Sequence, residues 1–96
     1  MPFYLSEKAE EDVISIFVQG AAEFGLDQAG RYHAALERQF RFLAENPLVA
    51  RERAEIAPPV RVHPFQAHIV VYILDPVGDV YILRVRHARE DWLPNP

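Results

Sequence analysis

The spacing of apolar residues changes once along this chain of 96 residues, and that change constrains the fold more than any other feature. Between Ala9 and Leu43, apolar residues recur every three or four positions, which is typical of amphipathic helices. From Val60 onward they alternate with polar residues or form short β-rich runs, which is typical of strands. The chain is shorter than an average domain, so both halves must share one domain over residues 1–96.

The first half predicts a short strand followed by a helical hairpin. The strand is Phe3-Tyr4-Leu5, and Ser6 is a good N-cap for a first helix that Gly25 ends. Asp27 can cap a second helix, which Asn46-Pro47 ends because the residue before a proline disfavours helical geometry. The connection between the helices is too short for any arrangement other than an antiparallel pair.

The second half predicts a three-stranded meander. Residues 46–59 contain three prolines around charged residues, which is typical of a connector with one helical turn. Strands are then expected from Val60, over Ile69 to Leu74 and over Val80 to Val85, with turns at 64–67 and 75–79. The resulting order is β-α-α-β-β-β, an α+β fold in which an antiparallel sheet packs on the helical hairpin.

The turn lengths predict which strand residues face each other. The expected pairs are Leu74–Val80, Tyr72–Ile82, Val70–Arg84, His68–Arg86, His63–His68 and Arg61–Val70. The other face would then hold Val60, Val62, Ile69, Val71, Ile73, Tyr81, Leu83 and Val85. We expect this apolar face to receive the hairpin, while the polar face either binds a phosphate or acidic partner or is an ordinary solvent-exposed surface.

Composition excludes several functional classes. The chain has no cysteine, so disulfides, thiolate metal sites and cysteine nucleophiles are excluded. The spacing of His63, His68 and His87 matches no metal motif, and neither serine lies in a nucleophile elbow. We therefore expect no metal and no other cofactor. A net charge of −4 also disfavours general binding of a phosphate backbone.

The longest aliphatic or aromatic run has six residues, from Ile69 to Leu74, which is far too short to span a membrane. The acidic N-terminal region is unlike a signal peptide. The sequence therefore predicts a soluble protein of the cytoplasm.

Two segments suggest binding to other proteins. The stretch from Arg84 to Trp92 combines three arginines, a histidine and a tryptophan, and arginine and tryptophan dominate interface hot spots. The alternative is that Arg89 pairs with Glu90 or Asp91 and that Trp92 covers the core.

The helices form the second such segment, because the apolar arc of the first helix is broader than one packed face requires. The residues that lie beside or outside the packed stripes are Ile14, Val18, Ala21 and Ala22 on the first helix and Phe42 on the second. Together they suggest that a partner helix or peptide covers part of the hairpin, although single exposed apolar residues need no explanation.

Several short segments, in this order, resemble a known family nearly from end to end. They are Tyr4-Leu5-Ser6, Ala44-Glu45-Asn46-Pro47, the strand from Ala67 to Tyr72, and the closing stretch from Ile82 to Trp92. The chain resembles the ParE toxins of the RelE/ParE superfamily, the toxin half of bacterial ParD/ParE toxin-antitoxin pairs that are also known as plasmid stabilisation proteins. The fold implied by the resemblance agrees with the β-α-α-β-β-β order.

The resemblance also implies a type of activity. Members of the RelE branch cleave messenger RNA on the ribosome with basic sheet residues and an arginine and a tyrosine in the tail. Here His68 stands where that branch has a sheet arginine, Ala88 replaces the arginine after the tail histidine, and Trp92 replaces the tyrosine. These departures favour the ParE branch, which inhibits DNA gyrase without being a nuclease, so we do not expect an enzyme.

The resemblance thus implies two partners, which are DNA gyrase as the target and a ParD-like antitoxin in a hetero-oligomer. Such an antitoxin is a ribbon-helix-helix protein with a disordered C-terminal tail. We expect gyrase contact at Arg84, Arg86, His87, Arg89 and Trp92, and antitoxin contact at Ile14, Val18, Ala21 and Phe42. Two alternatives are a ribosome-dependent endoribonuclease that uses the polar sheet residues Arg61, His63 and His68, and a non-toxic binding module of the same fold.

Overall fold

The computed structural model describes residues 2–90 and 92, and within that part of the chain two helices pack on a five-stranded sheet. The elements are β1 (Phe3–Leu5), α1 (Glu7–Phe24), α2 (Leu26–Glu45), β2 (Glu52–Arg53), β3 (Val60–Phe65), β4 (His68–Leu74) and β5 (Val80–His87). The sheet order is β1-β5-β4-β3-β2, with β1 parallel to β5 and the other pairs antiparallel. The α+β order is confirmed, the parallel strand β1 makes the sheet mixed instead of purely antiparallel, and β2 is an additional short strand within the predicted connector.

The ends of the helices follow local chemistry. The Ser6 hydroxyl accepts a hydrogen bond from the Ala9 N–H at 3.0 Å, which caps α1 as predicted. Gly25 is the whole connection between the helices, and its φ of +91° is a conformation that glycine adopts readily. The predicted cap at Asp27 is wrong, because α2 begins at Leu26 and Asp27 lies in its first turn. Neither described helix is long and apolar enough to cross a membrane.

The predicted register is correct at one end of the sheet and wrong at the other. Leu74 pairs with Val80 and Tyr72 with Ile82, but a bulge after Ile82 then shifts β5 by one residue. The observed partners are therefore Val70 with Val85 and His68 with His87, instead of the expected arginines.

The turn between β3 and β4 has two residues instead of four, and Gln66 there has a φ of +52°. His63 consequently pairs with Val70 and Arg61 with Tyr72, so the two pairs predicted between β3 and β4 are each wrong by two positions.

The helices cover the sheet face that was expected to be polar. The main core joins α1 and α2 to one face of β4 and β5, through Ala9, Val13, Leu36, Phe40, Leu43, Val70, Tyr72, Val80, Ile82 and Val85. Most of the residues expected beneath the hairpin form a second cluster on the opposite face, where Val60, Ile69 and Val71 are buried with Ile56. Both faces of the sheet are thus partly apolar, and alternation alone did not identify the face that the helices cover.

Candidate interaction surfaces

The two helices pack closely against each other at the small residues Gly20 and Ala29. A Cβ atom placed on Gly20 would lie 3.6 Å from the Cβ of Ala29, so the backbones are in near contact there. The Phe17 and His33 rings meet edge to face, with centroids 6.1 Å apart. A groove of about 190 Å³ follows the helix pair, and it is lined by Val13, Ile16, Phe17, Gly20, Phe24, Gln28, Ala29, Tyr32, His33, Leu36 and Gln66.

The outer side of α1 exposes apolar side chains, as the broad apolar arc predicts. Ile14 and Val18 are 62% and 59% exposed and lie one turn apart, while Ala21 is half-buried further along the helix. At the turn of the hairpin, Phe24 and Leu26 are 60% and 70% exposed, and the sequence reasoning missed both. Their positions on either side of Gly25 could have predicted this exposure. Each helix ends at the one-residue turn, so neither helix extends far enough to cover them.

Phe42 belongs to a different surface. It is 39% exposed, and its ring lies 5.8 Å from the ring of His63 on β3. His63 is in turn hydrogen-bonded through Nε2 to Oε1 of Gln39, at 3.0 Å. The structure therefore places Phe42 beside β3 and does not bring it together with Ile14 and Val18 on α1.

The polar residues predicted for one sheet face are bound within the chain. Arg61 donates a hydrogen bond to the Ala50 carbonyl at 2.6 Å, and Nδ1 of His68 lies 2.6 Å from the Tyr32 hydroxyl of α2. Burial lowers the pKa of His63, and burial together with the neighbouring His87 lowers the pKa of His68. These side chains connect the sheet to α2 and to the connector, and the two lowered pKa values favour neutral rings.

Charged groups at the C-terminal end of β5 are paired. Arg84 donates to both carboxylate oxygens of Asp12 on α1, at 2.7 and 3.0 Å, and the Val85 N–H donates to the same carboxylate at 3.0 Å. The hydrogen bond to Asp12 raises the pKa of Arg84 above its ordinary value. The Asp12 carboxylate thus binds the Arg84 guanidinium and also accepts from the Val85 N–H. Val85 lies past the part of β5 that pairs with β1, so this N–H is at an edge of the sheet.

The next turn is held in the same way by Glu90, whose carboxylate accepts from Arg86 Nε and from the His87 N–H, both at 2.9 Å. Glu90 therefore pairs with Arg86 and not with Arg89, and Asp91, the other acid considered for Arg89, lies outside the described residues. Trp92 packs on the second cluster, which confirms the alternative interpretation that it covers apolar core.

The residues expected to contact the target do not all lie on one face of the sheet. The side chain of Arg84 reaches α1, Trp92 covers the outer face of the sheet, and the rings of His87 and His68 are 5.3 Å apart. His87 and Arg89 are the exposed members of the group. Within residues 2–90 and 92, no group of three histidine or acidic side chains is arranged to hold a metal ion.

Comparisons with known proteins agree with this architecture. The family model described as "ParE toxin of type II toxin-antitoxin system, parDE" matches residues 3–92. A solved structure described as "Chromosomal ParDE TA system from P. aeruginosa" is similar in fold, with a TM-score of 0.76 and 19% sequence identity. That alignment covers 91% of this chain and 95% of the other, while no curated protein sequence matches. Since the family match spans nearly the whole chain, this protein belongs to the ParE toxin family of type II toxin-antitoxin systems.

Proposed function

We propose that this ParE toxin inhibits DNA gyrase in the cytoplasm by protein–protein contact and that a ParD-like antitoxin neutralises it by binding the helical hairpin. The family assignment supports the toxin role, and the observation that supports the antitoxin site is the exposed apolar side of α1, where Ile14 and Val18 are more than half exposed. Burying one such aliphatic side chain fully contributes about 1.5–3 kcal/mol, which makes this surface suitable for a hetero-oligomeric interface.

A groove between the two helices lies beside this surface and supports the proposed docking of an antitoxin segment. An amphipathic helix can place its apolar side in a groove between two helices, and a disordered tail can fold as it binds. Ala21 and the apolar groove residues continue the surface from Ile14 toward the hairpin turn. Phe42 would then be a second contact, reached only by a segment that also crosses α2.

The C-terminal end of β5 is the proposed site of contact with gyrase. His87 and Arg89 are exposed and are available for direct contact with gyrase. Arg84, Arg86 and Trp92 would shape this end of the molecule through the contacts described above, and each remains a candidate for contact. A ribonuclease is less well supported, because the side chains that it would use, Arg61, His63 and His68, are bound to other parts of the chain.

The test is a DNA supercoiling assay with purified gyrase and this protein, with and without the antitoxin encoded beside it. We expect inhibition that the antitoxin reverses. Arg89→Glu should weaken the inhibition, while Ile14→Asp/Val18→Asp should inhibit as before and escape the antitoxin. Gln19→Glu, which adds one negative charge to an exposed position of α1, is the control and should still be neutralised.

A translation reaction run in parallel distinguishes the alternatives. Normal supercoiling with shortened messages would replace the gyrase proposal with a ribonuclease. No effect in either reaction would leave a non-toxic binding module. Full neutralisation of the Ile14→Asp/Val18→Asp variant would remove the hairpin as the antitoxin site, whatever the target is.

A further inference from the structure

The net charge of the protein is concentrated on the helix that exposes the apolar side chains. α1 contains five acidic residues and one lysine, so its net charge of −4 equals that of the entire chain. The remaining acidic and basic residues balance each other. The candidate docking helix is therefore the acidic part of a molecule that is otherwise neutral in sum.

Three of these acids lie on the same side of α1 as the exposed apolar pair. Glu10 and Glu11 precede Ile14 by four and three residues, and Glu7 precedes it by seven, so all three lie within two turns on that side. All three are exposed, as are Ile14 and Val18. The outer side of α1 thus begins with an acidic half and continues with an apolar half.

The apolar half is continuous with the groove between the helices. Ile14 shares a shallow hollow with Val13, Phe17 and His33, and Val13 and Phe17 also line the groove. A helix that covers Ile14 and Val18 would therefore lie along the groove with one end beside the glutamates.

We propose that the antitoxin segment docked on α1 is an amphipathic helix with aliphatic residues over Ile14 and Val18 and with lysine or arginine one to two turns away, opposite Glu7, Glu10 and Glu11. This inference rests on the proposed docking of the antitoxin on the hairpin. Complementary charge speeds association and excludes wrong partners, whereas like charges across an interface are costly. For that reason a second copy of α1 is a poor occupant, since two acidic helices would meet.

The acids also have a role within the helix, and the experiment must separate the two. Glu7 and Glu10 lie in the first turn, where negative charge stabilises the positive end of the helix dipole. Glu11 lies near Arg84 and contributes to its raised pKa. A change at these positions can therefore lower stability as well as binding, so each variant is checked by thermal unfolding.

The experiment measures association of the full-length antitoxin with the full-length protein, with Glu10→Lys as the main variant. Glu23→Lys is the matched control, because it makes the same change of charge at an exposed position on α1 that points away from Ile14. We expect Glu10→Lys to slow association by on the order of tenfold at low salt and Glu23→Lys by less than about twofold. The difference should shrink at about 0.5 M salt, because exposed charges are then screened.

Equal association rates for Glu10→Lys and Glu23→Lys would overturn the inference. If Glu10→Lys lowers the unfolding temperature enough to confuse the result, Glu10→Gln gives the same comparison with a smaller change of charge. Val18→Asp separates this inference from the docking on which it depends. Loss of binding with Val18→Asp but not with Glu10→Lys would retain the docking and reject the basic partner, while no loss with Val18→Asp would reject both.

Discussion

The outer side of α1 and the C-terminal end of β5 are both rich in residue types that dominate interfaces, but their contacts within the chain differ. Ile14 and Val18 on α1 are more than half exposed. At the end of β5, Arg84 and Arg86 are hydrogen-bonded to Asp12 and Glu90. The first region adds little to the fold, whereas the second connects the last strand to the first helix and to its own turn.

The sequence alone suggests partner contact for both groups of residues, but their contacts within the chain predict different roles. An arginine held by a carboxylate of the same chain has lost part of its capacity to bind a partner, and its removal leaves that carboxylate without a donor. An exposed aliphatic side chain on a helix has no such role, so its loss is felt mainly when a partner covers it. We therefore expect substitutions at the end of β5 to lower stability and substitutions on outer α1 to lower binding.

The largest effect on stability is expected for Asp12→Ala. The substitution leaves the Arg84 guanidinium and the Val85 N–H without their acceptor, and both Asp12 and Arg84 are less than a quarter exposed. We expect the free energy of unfolding to fall by about 2 kcal/mol, as measured by urea denaturation. Asp12→Asn keeps an oxygen acceptor and should recover part of the loss. A change of less than about 0.5 kcal/mol in Asp12→Ala would show that this contact does not support the fold.

A smaller loss is expected for Trp92→Ala. Trp92 is partly buried on the cluster that contains Ile56 and Val71, and full burial of a tryptophan is worth about 3–5 kcal/mol in core substitutions. Partial burial reduces the expected loss to about 1–2 kcal/mol, measured by urea denaturation followed by circular dichroism. Trp92→Phe should retain most of the stability. Unchanged stability in Trp92→Ala together with weaker inhibition of gyrase would instead assign Trp92 to target contact.

A pH dependence of stability is expected from the histidines beneath α2. Burial lowers the pKa of His63, and burial and His87 lower that of His68, while Glu90 acts weakly in the opposite direction. The folded state thus binds protons less readily than the unfolded chain, in which histidine has a pKa of about 6.5. Stability should be complete above that value and fall as the pH drops toward the folded pKa values. Urea denaturation between about pH 7.5 and 5.5 measures this loss, which should be smaller in His63→Gln/His68→Gln.

Local chemistry explains why most element boundaries could be predicted from the sequence. Ser6 caps α1 with its own hydroxyl, and Gly25 supplies a backbone conformation that ends one helix and begins the next. Asp75 shapes the turn before β5 by accepting from the N–H groups of Val77 and Asp79. Each of these signals acts within a few residues, so a sequence displays it directly.

The side of the sheet that receives the helices depends on longer-range effects. The bulge after Ile82 moves the side chains of the rest of β5 to the opposite faces of the sheet. The sequence at this position contains no glycine, the residue type that often marks a bulge. The pair of Asp12 and Arg84 joins residues 72 positions apart, and Tyr32 meets His68 from another element. The apolar arc of α1 was predictable because it needs only helix geometry, whereas the pairing of the arginines needs the assembled fold.

The double variant Ile14→Ser/Val18→Ser is expected to have the smallest effect on stability and a large effect on antitoxin binding. Serine has a helix propensity close to those of isoleucine and valine, and both side chains are more than half exposed, so unfolding should change by less than about 0.5 kcal/mol. The adjacent Val13 is buried, and Val13→Ala should cost more than the double change. Antitoxin binding of Ile14→Ser/Val18→Ser should weaken by tenfold or more, about 1.4 kcal/mol, in a calorimetric titration. If the double variant unfolds easily but binds the antitoxin normally, the roles assigned to the two regions are reversed, and outer α1 stabilises the fold through contacts made in solution.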